Sequence, residues 1–280
     1  MMAKKKKKVV RKKRPAAAVA KYVDVPDCVG SGYLETENIY GELPAFGDVF
    51  RQEYTRNDIR TIVKDNAFVH PHVFVHHQGG SSTCTANAAC SGWEDETLQI
   101  LGVKIRLSPI SLYRFTGRSP GSGSSVSGNV RRIKSVGALP MDTPENRAAL
   151  KRMGLPEEHC LTAHHDWYYK KSSIGWPHGD AWKSTAAHFR MDETYEVRGV
   201  VEIWNALVQG FQVHIGRRGH SINYVWPWVE GNKMGAWYKD SYGTGRGKNG
   251  FLVDTEGRMA TWGVAYRKPL LTDKLLKLAL

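Results

Sequence analysis

The chain has 280 residues, of which 41% are hydrophobic and 24% are charged. This length can bury one large core or two smaller ones, and the composition is ordinary for a globular protein, so a single domain with two lobes is expected. No apolar run approaches the ~18–20 residues that span a bilayer, and four scattered cysteines exclude a scaffold built from disulfides.

The net charge of +13 comes mainly from a basic arm at residues 1–21. This arm holds ten of the 40 lysines and arginines and none of the 27 acidic residues, so the rest of the chain is nearly neutral. We expect a flexible arm that is either simply solvated or bound to nucleic acid or another polyanion. Its apolar stretch at 16–20 is too short for a secretory signal. The polyanion contacts would come from Lys4, Lys5, Lys6, Lys7, Lys8, Arg11, Lys12, Lys13 and Arg14.

The predicted elements change in type along the chain. Residues 22–67 form an irregular lead-in with one short helix near 48–64, and residues 69–77 form an extended segment. Most of the segment 94–180 is helical, and Thr143 and Pro144 cap and open one of its helices. Helices are predicted at 85–100, 109–117, 125–136, 144–153 and 200–209, and strands at 211–215, 221–229, 236–239, 250–254 and 260–266. Helices first and strands after indicate an α+β protein with segregated lobes.

Cys84 lies in the most informative stretch of the chain, where Gln78 precedes it by six positions and small residues follow it. The glycines and serines between them predict a loop that delivers the cysteine to the first turn of a helix. There the helix dipole and unpaired N–H groups favour the thiolate, which is the nucleophilic form. The Gln78 amide is near enough to help hold an oxyanion, and His220 is spaced as a catalytic base would be. The pattern predicts a cysteine hydrolase.

The same stretch resembles the motif of papain-like cysteine peptidases, particularly their prokaryotic and viral branch. Further likeness lies in His220 with its flanking glycine and serine. Residues 238–251 are similar to the family's asparagine–serine–tryptophan–glycine turn. The resemblance implies a peptidase domain at 68–268 with a helical lobe and an antiparallel β-barrel lobe, followed by a tail at 269–280.

The resemblance also assigns four side chains to a cysteine endopeptidase that acts on polypeptides and needs no cofactor. Cys84 is the nucleophile, His220 the base and acid, Asp240 the residue that orients His220, and Gln78 the oxyanion donor beside the Cys84 N–H. Asp240 stands where the family has asparagine, and Tyr242 where it has the tryptophan that shields this pair. An aspartate orients the ring equally well and also stabilises the imidazolium. We expect no inhibitory propeptide ahead of the domain.

Other motifs carry less weight. Residues 245–250 match a dinucleotide-binding glycine pattern, but no helix is predicted after them. Neither histidine cluster, at 70–77 or 159–165, has the spacing of a known zinc site, so no metal is expected. Two other functions stay open: an acyl transferase or cell-wall peptide amidase with the same triad, and a catalytically silent virion component that binds nucleic acid. We expect a cytoplasmic or virion-associated protein.

Overall fold

The computed structural model describes residues 33–35, 38–50, 53–66, 74–79, 81–118, 121–161, 179–217 and 219–279. The basic arm with its predicted polyanion contacts therefore lies outside the described residues. His70, His72, His164 and His165, from the two histidine clusters, lie outside them as well. Within the described ranges, no helix combines the length and the apolar character needed to cross a membrane.

Five of the described α-helices begin at a serine or threonine whose side chain caps the first turn. Thr143 accepts a hydrogen bond from Asn146 N ahead of Pro144, as predicted, and Ser125 caps the helix before it. The single lead-in helix expected near 48–64 is wrong, because Thr55 forms a capping box with Asp58 and starts a separate helix. The helices are α1 (Phe46–Val49), α2 (Arg56–Asp65), α3 (Cys84–Leu101), α4 (Pro109–Phe115), α5 (Val126–Ser135), α6 (Pro144–Met153), α7 (Asp180–Ala186), α8 (Gly199–Val208) and α9 (Asp273–Leu276).

The strands form one six-stranded antiparallel sheet with the order β1-β6-β2-β3-β4-β5. Its first strand was not predicted, because charged residues such as Asp192 and Glu193 hide its alternation and its partner β6 lies far along the chain. The expected α+β class is confirmed. The strands are β1 (Met191–Arg198), β2 (Gln212–Arg217), β3 (His220–Glu230), β4 (Lys233–Lys239), β5 (Phe251–Thr255) and β6 (Trp262–Pro269).

Helix α3 is the structural centre, since it contacts both the other helices and strands β2, β3 and β6. One buried cluster surrounds Trp93 of α3, and a second packs Trp204 of α8 against the sheet. The predicted tail at 269–280 is not loose within the described part. It contains α9, whose Leu275 is fully buried in the first cluster. The last helix therefore helps to fix the core around α3.

Candidate active site

Cys84 is the first residue of α3 and is fully buried. The turn before it is held by Asn87, whose backbone N–H and side-chain Nδ2 both reach the Thr83 carbonyl at 2.9 Å. The thiol thus lies at the positive end of an 18-residue helix, where a thiolate is favoured. Cys90 differs, because it lies inside the core and burial raises its pKa well above the usual value.

Gln78 is buried and bonded at both ends of its amide. Its Nε2 donates to the Ser81 carbonyl at 2.6 Å, and its Oε1 accepts from the Ser241 hydroxyl. A primary amide carries two N–H hydrogens, and the Ser81 carbonyl takes only one of them. The positive φ of +60° at Gly79 lets the chain turn sharply enough for this contact. The Gln78 amide is therefore oriented before any ligand arrives.

The segment carrying Gln78 pairs with the segment carrying Asp240. Gln78 N donates to the Ser241 carbonyl at 2.7 Å, and Gly243 N donates to the His76 carbonyl at 2.8 Å. Between these two bonds His77 and Tyr242 form an antiparallel bridge. Two stretches far apart in sequence are thus adjacent in space, and the predicted oxyanion donor and the predicted orienting residue lie on neighbouring segments.

His220 opens β3, in the hairpin where it pairs with Arg217 of β2. Its ring stacks on the ring of Tyr242, with centroids 5.0 Å apart and planes inclined by 25°. Tyr242 thus covers one face of the imidazole. Burial, and next the positive charges of Arg217 and Arg246, lower the pKa of His220 to about 4. The imidazole is therefore neutral near pH 7.

Asp240 is buried, and its two oxygens are already engaged. Oδ1 accepts from Tyr242 N at 2.7 Å, and Oδ2 lies 3.3 Å from the Arg246 guanidinium. Burial raises the pKa of Asp240, while the Tyr242 N–H and then the Arg246 charge oppose that rise.

The expected orienting bond between Asp240 and His220 is not formed in this structure. Among the described residues, His220 Nε2 is buried without a hydrogen-bond partner, because the carboxylate is bonded to Tyr242 and Arg246 instead. Both residues nevertheless contact Tyr242: the Asp240 carboxylate accepts from the Tyr242 backbone N–H, and the His220 ring stacks on the Tyr242 ring. The Arg246 guanidinium also lies 5.0 Å above the same ring.

Sequence reasoning missed Arg246, although its place in the glycine-rich stretch after Asp240 could have identified it. That stretch, first noted as a weak dinucleotide pattern, runs directly into β5 rather than into a helix. In this structure the stretch places the Arg246 guanidinium next to the buried Asp240 carboxylate.

A buried ion pair and a buried histidine–glutamate contact behind the site were missed as well. Lys239 Nζ lies 2.6 Å from Asp95 Oδ2, with side-chain exposures of 2% and 0%, and joins β4 to α3. His76 Nε2 lies 2.9 Å from Glu94, which also accepts from Leu107 N. The sequence signal for these contacts was the acidic run Glu94–Glu96 in the middle of the buried helix α3. These pairs fix α3 against the segments that carry the predicted catalytic residues.

The other histidines of the described chain have structural partners. His214 is fully buried between Tyr266 and Ser221, and burial lowers its pKa to about 3. His159 accepts or donates at Thr185 and stacks on Trp182. Within the part of the chain that the structure describes, no group of three histidine, cysteine or acidic residues could hold a metal ion.

Comparison with known proteins gives a likeness in structure only. No protein-family model matches the sequence, and no curated protein matches it either. Digestive procathepsin L2 proteinase from the Tenebrio molitor larval midgut is similar with a TM-score of 0.56 and 14% identity, over 88% of this chain and 79% of that one. Procathepsin B S9 from Trypanosoma congolense is similar with a TM-score of 0.53 and 13% identity, over 88% of each chain. The chain has the α+β fold of papain-like cysteine proteases.

Proposed function

We propose that the protein is a cysteine endopeptidase of the prokaryotic and viral papain-like branch, and that Cys84 attacks the scissile peptide bond. The observation that carries the proposal is the meeting of separate segments at Tyr242. Its backbone lies beside the Gln78 segment and binds Asp240, and its ring stacks on His220. Cys84 opens α3 six residues after Gln78, at the positive end of that helix.

The chemistry follows from the protonation states of the pair. His220 is neutral near pH 7 because burial and two arginines lower its pKa to about 4, so it can accept the Cys84 proton. The thiolate then attacks the carbonyl carbon, the C–N bond breaks, and the imidazolium returns its proton to the leaving amine. Water deprotonated by His220 next attacks the thioester, which releases the carboxylic acid and restores the thiol.

Gln78 acts on the oxyanion that forms during both steps. One of its amide hydrogens is taken by the Ser81 carbonyl, and the other supplies the donor beside the Cys84 N–H. Removing one donor of this type typically costs about 3 kcal/mol of transition-state stabilisation. Gln78→Ala should therefore lower kcat by about 100-fold or more while KM changes little.

Asp240 is the positioning residue of the site. Its Oδ1 is fixed by Tyr242 N, on the residue that also stacks on His220. When the imidazolium forms, its positive charge competes with Arg246 for the Asp240 carboxylate. Asp240→Asn should retain part of the activity, since an amide oxygen can accept from the ring once the imidazolium forms, whereas Asp240→Ala leaves no side-chain acceptor there.

The test combines thiol labelling with peptide hydrolysis between about pH 5 and 9. Cys84→Ser should abolish both labelling at position 84 and peptide hydrolysis. His220→Gln should slow labelling of Cys84 at neutral pH. Cys90→Ala is the matched control, because Cys90 is equally buried and its raised pKa makes it a poor nucleophile. A Cys84 alkylation rate that is the same in wild type and in His220→Gln would contradict the proposal. Preferred transfer to an added amine or cleavage of cell-wall stem peptides would favour the acyl transferase or amidase instead.

A further inference from the structure

A small internal cavity lies next to the proposed active site, between α3 and the sheet. Its volume of about 10 Å³ is close to the space that one water molecule needs. Ser91 of α3 lines it from the helix, and Asn223 of β3 lines it from the sheet. Its remaining walls belong to the segments that carry Gln78 and Asp240, and Asp240 itself lines the cavity. The cavity is therefore enclosed by the same elements that build the site.

Two buried side-chain oxygens of this cavity have unused hydrogen-bonding capacity. Ser91 is 4% exposed and Asn223 is 1% exposed, and neither Ser91 Oγ nor Asn223 Oδ1 has a hydrogen-bond partner in the described ranges. The Asn223 amide cannot simply turn over, because its Nδ2 donates to the Ala88 carbonyl at 2.7 Å. A buried oxygen without a hydrogen bond is costly, and such atoms commonly mark a bound water. The two oxygens supply the two polar partners that a buried water requires at the least.

Ser91 and Asn223 lie on the two elements that carry the proposed nucleophile and base. Ser91 follows Cys84 by seven residues, which is about two turns along α3. Asn223 follows His220 by three residues in β3. The bond from Asn223 to the Ala88 carbonyl already joins this helix to this strand at one point. A second link through the cavity restrains how the strand lies against the helix.

We propose that the cavity binds one structural water, which joins Ser91 Oγ to Asn223 Oδ1 and thereby positions the His220 strand against the Cys84 helix. The water donates one hydrogen to Asn223 Oδ1, which can only accept, and it bonds to the Ser91 hydroxyl as donor or acceptor. A bond through such a water is nearly as favourable as a direct one. Ser91 and Asn223 are positioning residues, because they act on His220 through its strand. The water site goes beyond the proposed function, whereas the positioning role rests on it.

A high-resolution crystal structure of the wild type tests the water without any assay of activity. One density peak within hydrogen-bond distance of both Ser91 Oγ and Asn223 Oδ1 is expected. Ser91→Ala should remove that peak, since a single partner does not hold a buried water. Thr97→Val is the matched control: Thr97 is a fully buried residue of the same helix whose hydroxyl also lacks a partner in the described ranges, and it does not line the cavity. A wild-type cavity without a peak, with the Ser91 hydroxyl turned to a carbonyl of its own helix, overturns the proposal.

The positioning role is tested by the rate of Cys84 alkylation at neutral pH in wild type, Ser91→Ala, His220→Gln and the double variant. Because Ser91 acts through His220, Ser91→Ala should slow alkylation about threefold or more in the wild-type background and leave the rate unchanged in His220→Gln. In peptide hydrolysis the same substitution should lower kcat and leave KM unchanged. Thr97→Val should alter neither rate. Cys90 should stay unlabelled throughout, which shows that the core of each variant is intact. Equal slowing in both backgrounds would show a merely structural effect and overturn the positioning role.

The outcomes separate this inference from the proposed function. A density peak in a protein whose Cys84 alkylation is the same with and without His220 would refute the catalytic pair and the positioning role, and would leave the water site standing. A protein whose alkylation depends on His220, but whose cavity holds no peak, would refute the water site alone.

Discussion

The buried pair of Lys239 and Asp95 offers the sharpest test of how α3 is held against the sheet. We consider Lys239→Met, which keeps the length of the side chain and removes its charge. Lys239 is 2% exposed and Asp95 is 0% exposed, with 2.6 Å between their charged atoms. After the substitution the Asp95 carboxylate keeps the hydrogen bond from the Gln212 amide, but it loses its counter-ion.

The magnitude follows from leaving a buried carboxylate without its counter-ion. Breaking one partner of such a pair typically costs about 3–5 kcal/mol in the free energy of unfolding. The local surroundings favour the upper part of this range, because the neighbouring Glu96 is itself buried and the charge of Asp95 helps to raise its pKa. For a chain of this size the loss corresponds to a fall in Tm of roughly 6–20 °C.

Urea unfolding followed by tryptophan fluorescence measures this loss, with Lys239→Met, Asp95→Leu and the double variant forming a cycle. The double variant should recover much of the stability, because two apolar side chains replace two charges. Arg147→Met is the matched control. It breaks the exposed pair with Asp142, whose exposures are 46% and 36%, and should cost less than about 1 kcal/mol. The reasoning fails if Lys239→Met costs no more than Arg147→Met.

Three further predictions concern the charges at the site and the basic arm. The His220 pKa of about 4 lies below the ordinary value, so the unfolded chain binds more protons between about pH 4 and 6.5. The contribution of the buried His220 imidazole to stability is complete above about pH 6.5 and is lost as the pH falls towards 4. His220→Gln should therefore flatten that part of a plot of urea midpoint against pH. Arg246→Gln removes a positive charge that lowers the His220 pKa, so NMR titration should show that pKa raised; an unchanged titration would contradict this. Deleting residues 1–21 should abolish salt-sensitive binding to DNA without changing peptide hydrolysis, measured by fluorescence anisotropy and by turnover. Loss of hydrolysis, or binding that survives the deletion, would refute a separate tether.

Local signals were enough to predict several helices. Thr143 before Pro144 defines α6 because a hydroxyl cap and a proline at the first position both act within one turn. Ser125 caps α5, at the start of the helix predicted over 125–136. Strand β1 could not be found in this way, because its stability comes from pairing with β6, and a charged sequence gives no periodic pattern of its own.

The site likewise has features that the local sequence predicts and features that depend on pairing between distant segments. Cys84 could be identified as a candidate from its sequence neighbours, because a glycine-rich loop before a helix is a local feature. The bond from Ser241 to Gln78 and the contact from Arg246 to Asp240 could not, since they arise only when two extended segments pair. Arg246 also changes the expected electrostatics, because its guanidinium pairs with the Asp240 carboxylate, which was predicted to orient His220.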